Sequence, residues 1–277
     1  MRAPYWEQVA ASGFAVPDDA PLAELTTELT VMLGSPDPHL RERLAATTLR
    51  RWVSQGVYDE LLGGLGDGMA AGLLVGLGED GTDTVFRRSW SAALLGECLE
   101  RDSAVSVVGP DTVLRWGDQL LSWFVRERDL RGHVPEHGWA HAVAHGSDAL
   151  GSLSGDPTMG ELELMAVLDV VADRLAQVTP YRWTHQEHDR LALAVMRVLR
   201  RDRVETEVVE AWLDRLVQTA ALAGPDGECT PMAGNAQGLL RALHLQLALA
   251  PSAPAARGDL LLSVLAALKR SNTDTLR

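Results

Sequence analysis

Apolar residues recur at every third or fourth position along most of this chain, and strict apolar–polar alternation is scarce. That period belongs to a helix of about 3.6 residues per turn, whereas a half-buried strand alternates. In GELELMAVLDVVADRLAQV (160–178), Leu162, Met165, Leu168, Val171 and Leu175 form one stripe, with Asp169 and Asp173 off it. ETEVVEAWLDRLVQTAAL (205–222) does the same through Val208, Trp212, Leu216 and Ala220. Turn formers (GSPDP, SGDP, AGPDGE and APSAPAARGD) interrupt these runs at the intervals expected of helical hairpins. The pattern predicts an all-α chain of roughly ten or more helices and no sheet. Among them are 23–33, 58–75, 111–126, 160–178, 205–222 and 258–269.

A weak repeat underlies the helices. Leu44-Ala45…Leu49, Trp90-Ser91…Leu95, Trp139-Ala140…Ala144 and Leu191-Ala192…Met196 follow one another at 46, 49 and 52 residues, with a less regular fifth copy around GLLRALHLQL (238–247). Two helices per unit of that length suit stacked HEAT or armadillo-like hairpins, which bury their apolar faces only by stacking on neighbours. Asp37, Pro38 and Arg41 stand in the order familiar from HEAT repeats. The expectation is one helical-repeat domain over 1–277. Gly63, Gly64, Gly66 and Gly68 lack the preceding strand that a dinucleotide fingerprint needs, so they read as a turn between helices.

With 38 acidic against 25 basic residues the formal charge is −13, and the basic runs 40–51 and 197–203 are diluted by acids or neutral residues. Duplex binding draws on neutralised phosphates, and an anionic protein is repelled by anionic membranes, so neither nucleic acid nor membrane is an expected partner. Cys98 and Cys229, the two cysteines, have no metal-ligand spacing. They suggest a reducing compartment, and with no apolar leader the expectation is a soluble cytoplasmic protein. Cys98 reads as a core thiol and Cys229 as an exposed one.

Four of the eight histidines fall within GHVPEHGWAHAVAHGSDAL (132–150), at 133, 137, 141 and 145. Gly132 and Pro135 keep His133 in a loop, and Pro135 suits the first turn of a following helix. On a helix running from His137, His141, His145 and Asp148 share a face with it, opposite Trp139, Val143 and Leu150. Histidines one turn apart aim their ring nitrogens at one point, so His141, His145 and Asp148 are candidate ligands for a divalent metal. The metalloprotease pattern is absent, since Ala142 and Ala144 occupy the positions where its glutamate would stand. The small alanines beside the imidazoles would let a ligand approach closely. Trp139, Arg88, Asp129, Arg131, Asn235 and Arg241 are further candidates for the same ligand groove, with Arg87, His185, His188 and Asp189 as lesser ones. Arginine is the usual bidentate partner of a carboxylate or phosphate. No nucleophile elbow is present; GSLSG (151–155) has its serines misplaced.

The stretch DLRGHVPEHGWAHAVAHGSDAL (129–150) resembles the signature of the bacterial DUF2785 family, a domain of unknown function. Asp129, Arg131, Gly132, Gly138, Trp139, His141, His145 and Asp148 match it; His133 stands where an aromatic is usual, and Trp90 where phenylalanine is usual. LTVMLGSPDPHLRERLA, GLGEDGTDTVFRRSWSAALL and NAQGLLRALHLQL are also similar. The resemblance implies an all-helical, HEAT-like fold and brings no activity with it.

These readings lead first to a helical-repeat protein that binds a small anionic ligand, a peptide or another protein around His141, His145 and Asp148. The rival is an enzyme using the same cluster as a metal site or a general acid–base pair, with Arg88 or Arg241 holding an anionic substrate. A third class is an interaction scaffold without a small-molecule site.

Overall fold

The computed structural model describes residues 3–222, 224 and 228–272. They form α1 (Ala3–Ala11), α2 (Leu22–Met32), a π-helical segment (His39–Ala46) running into α3 (Thr47–Ser54), and a 3-10 turn (Asp59–Leu61) before α4 (Leu62–Gly72). Then come α5 (Thr84–Val105), α6 (Pro110–Arg126), β1 (His133–Val134), β2 (Gly138–Trp139) and α7 (Ala142–Gly155). The remainder is α8 (Glu161–Ala176), α9 (Glu187–Leu199), α10 (Thr206–Ala220), α11 (Pro231–Leu249) and α12 (Arg257–Ser271). The fold is all-α, and the only pairing of strands among the described residues is the two-residue hairpin β1–β2. Of the breaker AGPDGE (223–228), only Gly224 and Glu228 lie within the described residues.

The chain divides into two compact units, Met1–Ala149 and Leu150–Arg277. In the first, α5 packs against α3, α4 and α6. Its buried residues, from Val85 and Phe86 through Trp90, Leu94 and Cys98, circle the whole helix, as expected for an element covered on all sides. In the second, α11 packs against α8, α9, α10 and α12, with Leu239, Leu240, Leu243 and Leu247 buried.

Three expectations are corrected. The four early glycines lie inside α4 rather than in a turn; packing requires the bare backbone at Gly66, where a Cβ would stand 2.1 Å from the Trp116 ring, while a Cβ at Gly63, Gly64 or Gly68 would meet nothing within 4 Å. The stripe on α8 departs at its start, with Leu162 75% exposed and Met165 half-buried, whereas Leu168, Val171 and Leu175 are buried as expected, joined by Leu164, Val167 and Ala172. The third copy of the repeat is not a helix start, since Trp139 belongs to β2 and only Ala144 of that copy lies on α7.

Candidate functional site

The signature stretch begins as backbone pairing rather than helix. Ala140 N donates to Gly132 O at 2.9 Å and His141 N to Arg131 O at 3.0 Å, extending the β1–β2 contact. The turn between the strands passes through Glu136 and Gly138 with φ of 65° and 74°. Glycine is required at 138, where a Cβ would meet Glu42 Oε1 at 2.7 Å and Pro38 at 2.8 Å. The π-helical segment pins this hairpin. Buried Arg41 donates to Ser35 O at 2.6 Å and to His137 O at 2.5 Å, while Glu42 Oε1 accepts from Trp139 N at 3.0 Å. The Arg41 guanidinium also stacks 4.0 Å from the Phe86 ring centroid. The expectation of a helix from His137 is therefore corrected: α7 starts at Ala142, and His137 sits on the turn, its ring 6.3 Å from that of Phe86.

His141 is the pivot. It is a non-glycine residue with φ of 54°, a left-handed conformation that costs an L-residue about 1–2 kcal/mol. Its carbonyl accepts from His145 N at 2.9 Å, opening α7. The turn lays its ring flat on Trp139, centroids 4.4 Å apart and planes at 22°, while His133 meets the same indole edge-on at 4.9 Å. His145 is buried, edge-to-face with Trp90 at 4.5 Å and with His141 at 5.8 Å.

Ser89 Oγ contacts both Ala140 O and His145 Nδ1, the latter at 2.9 Å. A hydroxyl has one proton and a carbonyl can only accept, so the Ser89 proton goes to Ala140 O. His145 Nδ1 is then the donor to Ser89, and the neutral imidazole carries its basic lone pair on Nε2. Ser89 is fully buried and its proton is committed, so it is a positioning group and no nucleophile.

Charge gathers at the edge of this aromatic group. Arg50 lies 3.2 Å from Glu97, each about two-fifths exposed, and its guanidinium is 5.5 Å from the Trp90 ring centroid. Burial holds the Glu97 carboxyl above the usual carboxylate range; Glu100 and Asp148 push it the same way, and Arg50 opposes them. Exposed Asp148 stands three residues beyond His145 on α7, at the spacing of helical neighbours.

The expected metal triad does not assemble. Among the described residues no group of three or more His, Cys, Asp or Glu side chains is placed to hold an ion. The rings of His141 and His145 do come close, 5.8 Å between centroids, although His141 precedes the first residue of α7.

The arginine and asparagine candidates have structural surroundings. Arg88 is fully buried, its Nε and Nη2 on Glu127 at 2.5 and 2.9 Å and its Nη1 on Val75 O, Gly76 O and Thr84 Oγ1. Asp129 and Arg131 pair with each other at 2.6 Å and tie down the loop before α5, through Gly81 N and Thr82 O. Asn235 lies in the second unit, accepting from Trp183 N and donating to Tyr181 O. Arg241, also there, donates to Asn272 Oδ1 at 2.7 Å. His185 and His188 belong to that unit as well, and burial lowers the His188 pKa. Cys98 is buried, with its thiol pushed upward by burial, and Cys229 is exposed.

Glu42, Arg50, Ser89 and Glu97 touch or surround the signature, and no periodicity or motif singles them out. Ser89 stands beside Trp90 in a helix that also carries Arg87, Arg88 and Ser91, so only its burial in the fold distinguishes it. A cleft of about 590 Å³ in the same unit, bounded by Tyr58, Asp67 and Arg115, includes none of the signature residues.

No curated protein and no solved structure matches this chain. A family model described as a protein of unknown function (DUF2785) matches residues 73–245, a span that holds the hairpin, both imidazoles, Ser89 and Glu97. The chain belongs to the DUF2785 family.

Proposed function

We propose that the surface of the first unit around Trp139, His141 and Asp148 is a binding site for a small organic cation, such as an amine. The observation that carries this is the left-handed backbone at His141. Strain of that kind persists where surrounding contacts over-determine it, and it concentrates at functional sites. Here it presents a stacked indole and imidazole as one flat face. The sign of the charge is read from the neighbours of Glu97, where Glu100 and Asp148 add negative charge and Arg50 opposes it. An ammonium gains from both the carboxylates and the aromatic face.

Titration of the ¹⁵N-labelled protein with butylamine, against butyrate as control, tests the reading. Amide shifts at 139–148 are expected to saturate with butylamine alone, with Kd on the order of millimolar for so small a ligand. Asp148→Asn, at an exposed position, and Trp139→Ala are each expected to weaken it about tenfold. Equal response to butyrate, or indifference to both substitutions, sinks the proposal.

An acid–base role is the second reading, and it rests on the Ser89 contact, which leaves Nε2 of His145 as the basic nitrogen. His145→Gln keeps a donor toward Ser89 and removes the base. An amine titration unchanged in that variant, beside a lost turnover of any amine substrate found, separates catalysis from binding.

A further inference from the structure

A second site in the first unit is independent of the histidines. A groove of about 410 Å³ opens between Thr30, Val31 and Gly34 at the end of α2, Val75 just after α4, and Thr84 and Arg87 at the start of α5. Val31 and Val75 are large apolar side chains, 59% and 45% exposed. Arg87 differs from its neighbour Arg88, whose charge is matched by Glu127. Its Nη1 donates to Thr30 O, and among the described residues no carboxylate pairs with it. Burial alone lowers its pKa, with no acidic group opposing. Acids are in surplus in this chain, 38 against 25 basic residues, so the missing counter-ion is not a matter of supply.

The guanidinium is also held in place. A Cβ at Gly34 would lie 3.3 Å from Arg87 Cβ, and one at Gly72 would lie 3.0 Å from Arg87 Nε. The stem thus runs between two bare backbone faces, with one nitrogen anchored to α2. An oriented guanidinium loses little freedom on binding, and its planar fork matches a carboxylate. Exposed Asp83, one turn before Arg87 and lining the same groove, disfavours a doubly charged ligand.

We propose that this groove binds a small monocarboxylate with an aliphatic body, its carboxylate on Arg87 and its chain over Val31 and Val75. The volume falls in the range of small-molecule sites, and apolar walls with one placed charge are their usual chemistry.

The test is an amide-shift titration of the full-length protein with hexanoate, and with hexanol, acetate and inorganic phosphate alongside. Hexanoate is expected to give saturable shifts at residues 30–34 and 84–88, with Kd on the order of millimolar. Hexanol lacks the charge and acetate the chain, so each is expected to bind at least about tenfold more weakly. Arg87→Gln should cause a similar loss. Because Arg87 also ties α5 to α2, the exposed position gives a second variant: Val31→Glu adds a carboxylate to the rim and should weaken hexanoate without harming the fold. Hexanol or phosphate binding as well as hexanoate, shifts centred elsewhere, or hexanoate binding untouched by Val31→Glu would each overturn the proposal.

Discussion

His141 shows how much one backbone angle decides. With φ of 54° it ends the pairing with Arg131, stacks its ring on Trp139 and opens α7 with its carbonyl. Alanine there would keep the left-handed cost and lose the stacking, while glycine would lose the stacking but remove the cost. His141→Gly is therefore expected to be more stable than His141→Ala by about 1 kcal/mol in urea denaturation. Equal stability of the two variants would mean that the backbone relaxes once the ring is gone. The spacing of His137, His141, His145 and Asp148 makes the cluster legible in the sequence, and it misplaces the helix start. Pro135 at a helix start and Pro135 in a hairpin look alike locally. What separates them is the grip of Arg41 and Glu42 on His137 and Trp139, from almost a hundred residues away.

At the level of elements, α4 explains why helix periodicity is readable and its glycines are not. Five glycines in an eleven-residue helix carry a propensity cost of about 1 kcal/mol each relative to alanine, so the sequence points to a turn. Packing repays part of it. At Gly66 a Cβ would enter the Trp116 ring, and at Gly72 it would lie 2.1 Å from Ser91 Oγ. At Gly68 a Cβ would have nothing within 4 Å, so the cost there is uncompensated. Two substitutions of identical chemistry should then differ in sign. Gly68→Ala is expected to stabilise by about 0.5–1 kcal/mol, and Gly66→Ala to destabilise by about 1–3 kcal/mol. Thermal and urea melts of the pair check this; stabilisation by both would mean α6 can retreat from α4 without cost. The exposed start of the α8 stripe has a related origin. Leu162 and Leu164 fit an apolar face equally well by spacing, and it is the packing of α9, α10 and α11 on α8 that leaves Leu164 buried and Leu162 exposed.

For the whole molecule, the acidic surplus and one buried base pull in opposite directions as pH falls. Protonating carboxylates relieves the self-repulsion of a chain with formal charge −13, which favours the compact state. His188, in the second unit, acts the other way. Its ring lies 5.4 Å from that of Trp183, and Gly238 of α11 leaves room for it, since a Cβ there would be 2.3 Å from Nε2. Burial lowers its pKa; Glu187 and Asp189 oppose this, and Arg241 and Arg182 reinforce it. A base with a lowered folded pKa binds fewer protons folded than unfolded between that value and its ordinary one near ~6.5. Unfolding takes up a proton across this window, so stability falls as pH drops below about 6.5 and the loss ends at the folded pKa. The two histidines thus differ in kind: His188, the lesser candidate by sequence, titrates against the fold, whereas the imidazole of His145 is tied to Ser89 by its Nδ1. Urea denaturation between pH 7.5 and 5.5, comparing the parent with His188→Gln, isolates the effect from the background of carboxylates common to both. The parent's stability is expected to decline more steeply on acidification, with a difference in slope of up to about 1.4 kcal/mol per pH unit, the limit for one proton. Parallel profiles would show that the imidazole is as easily protonated in the folded protein as in the unfolded chain.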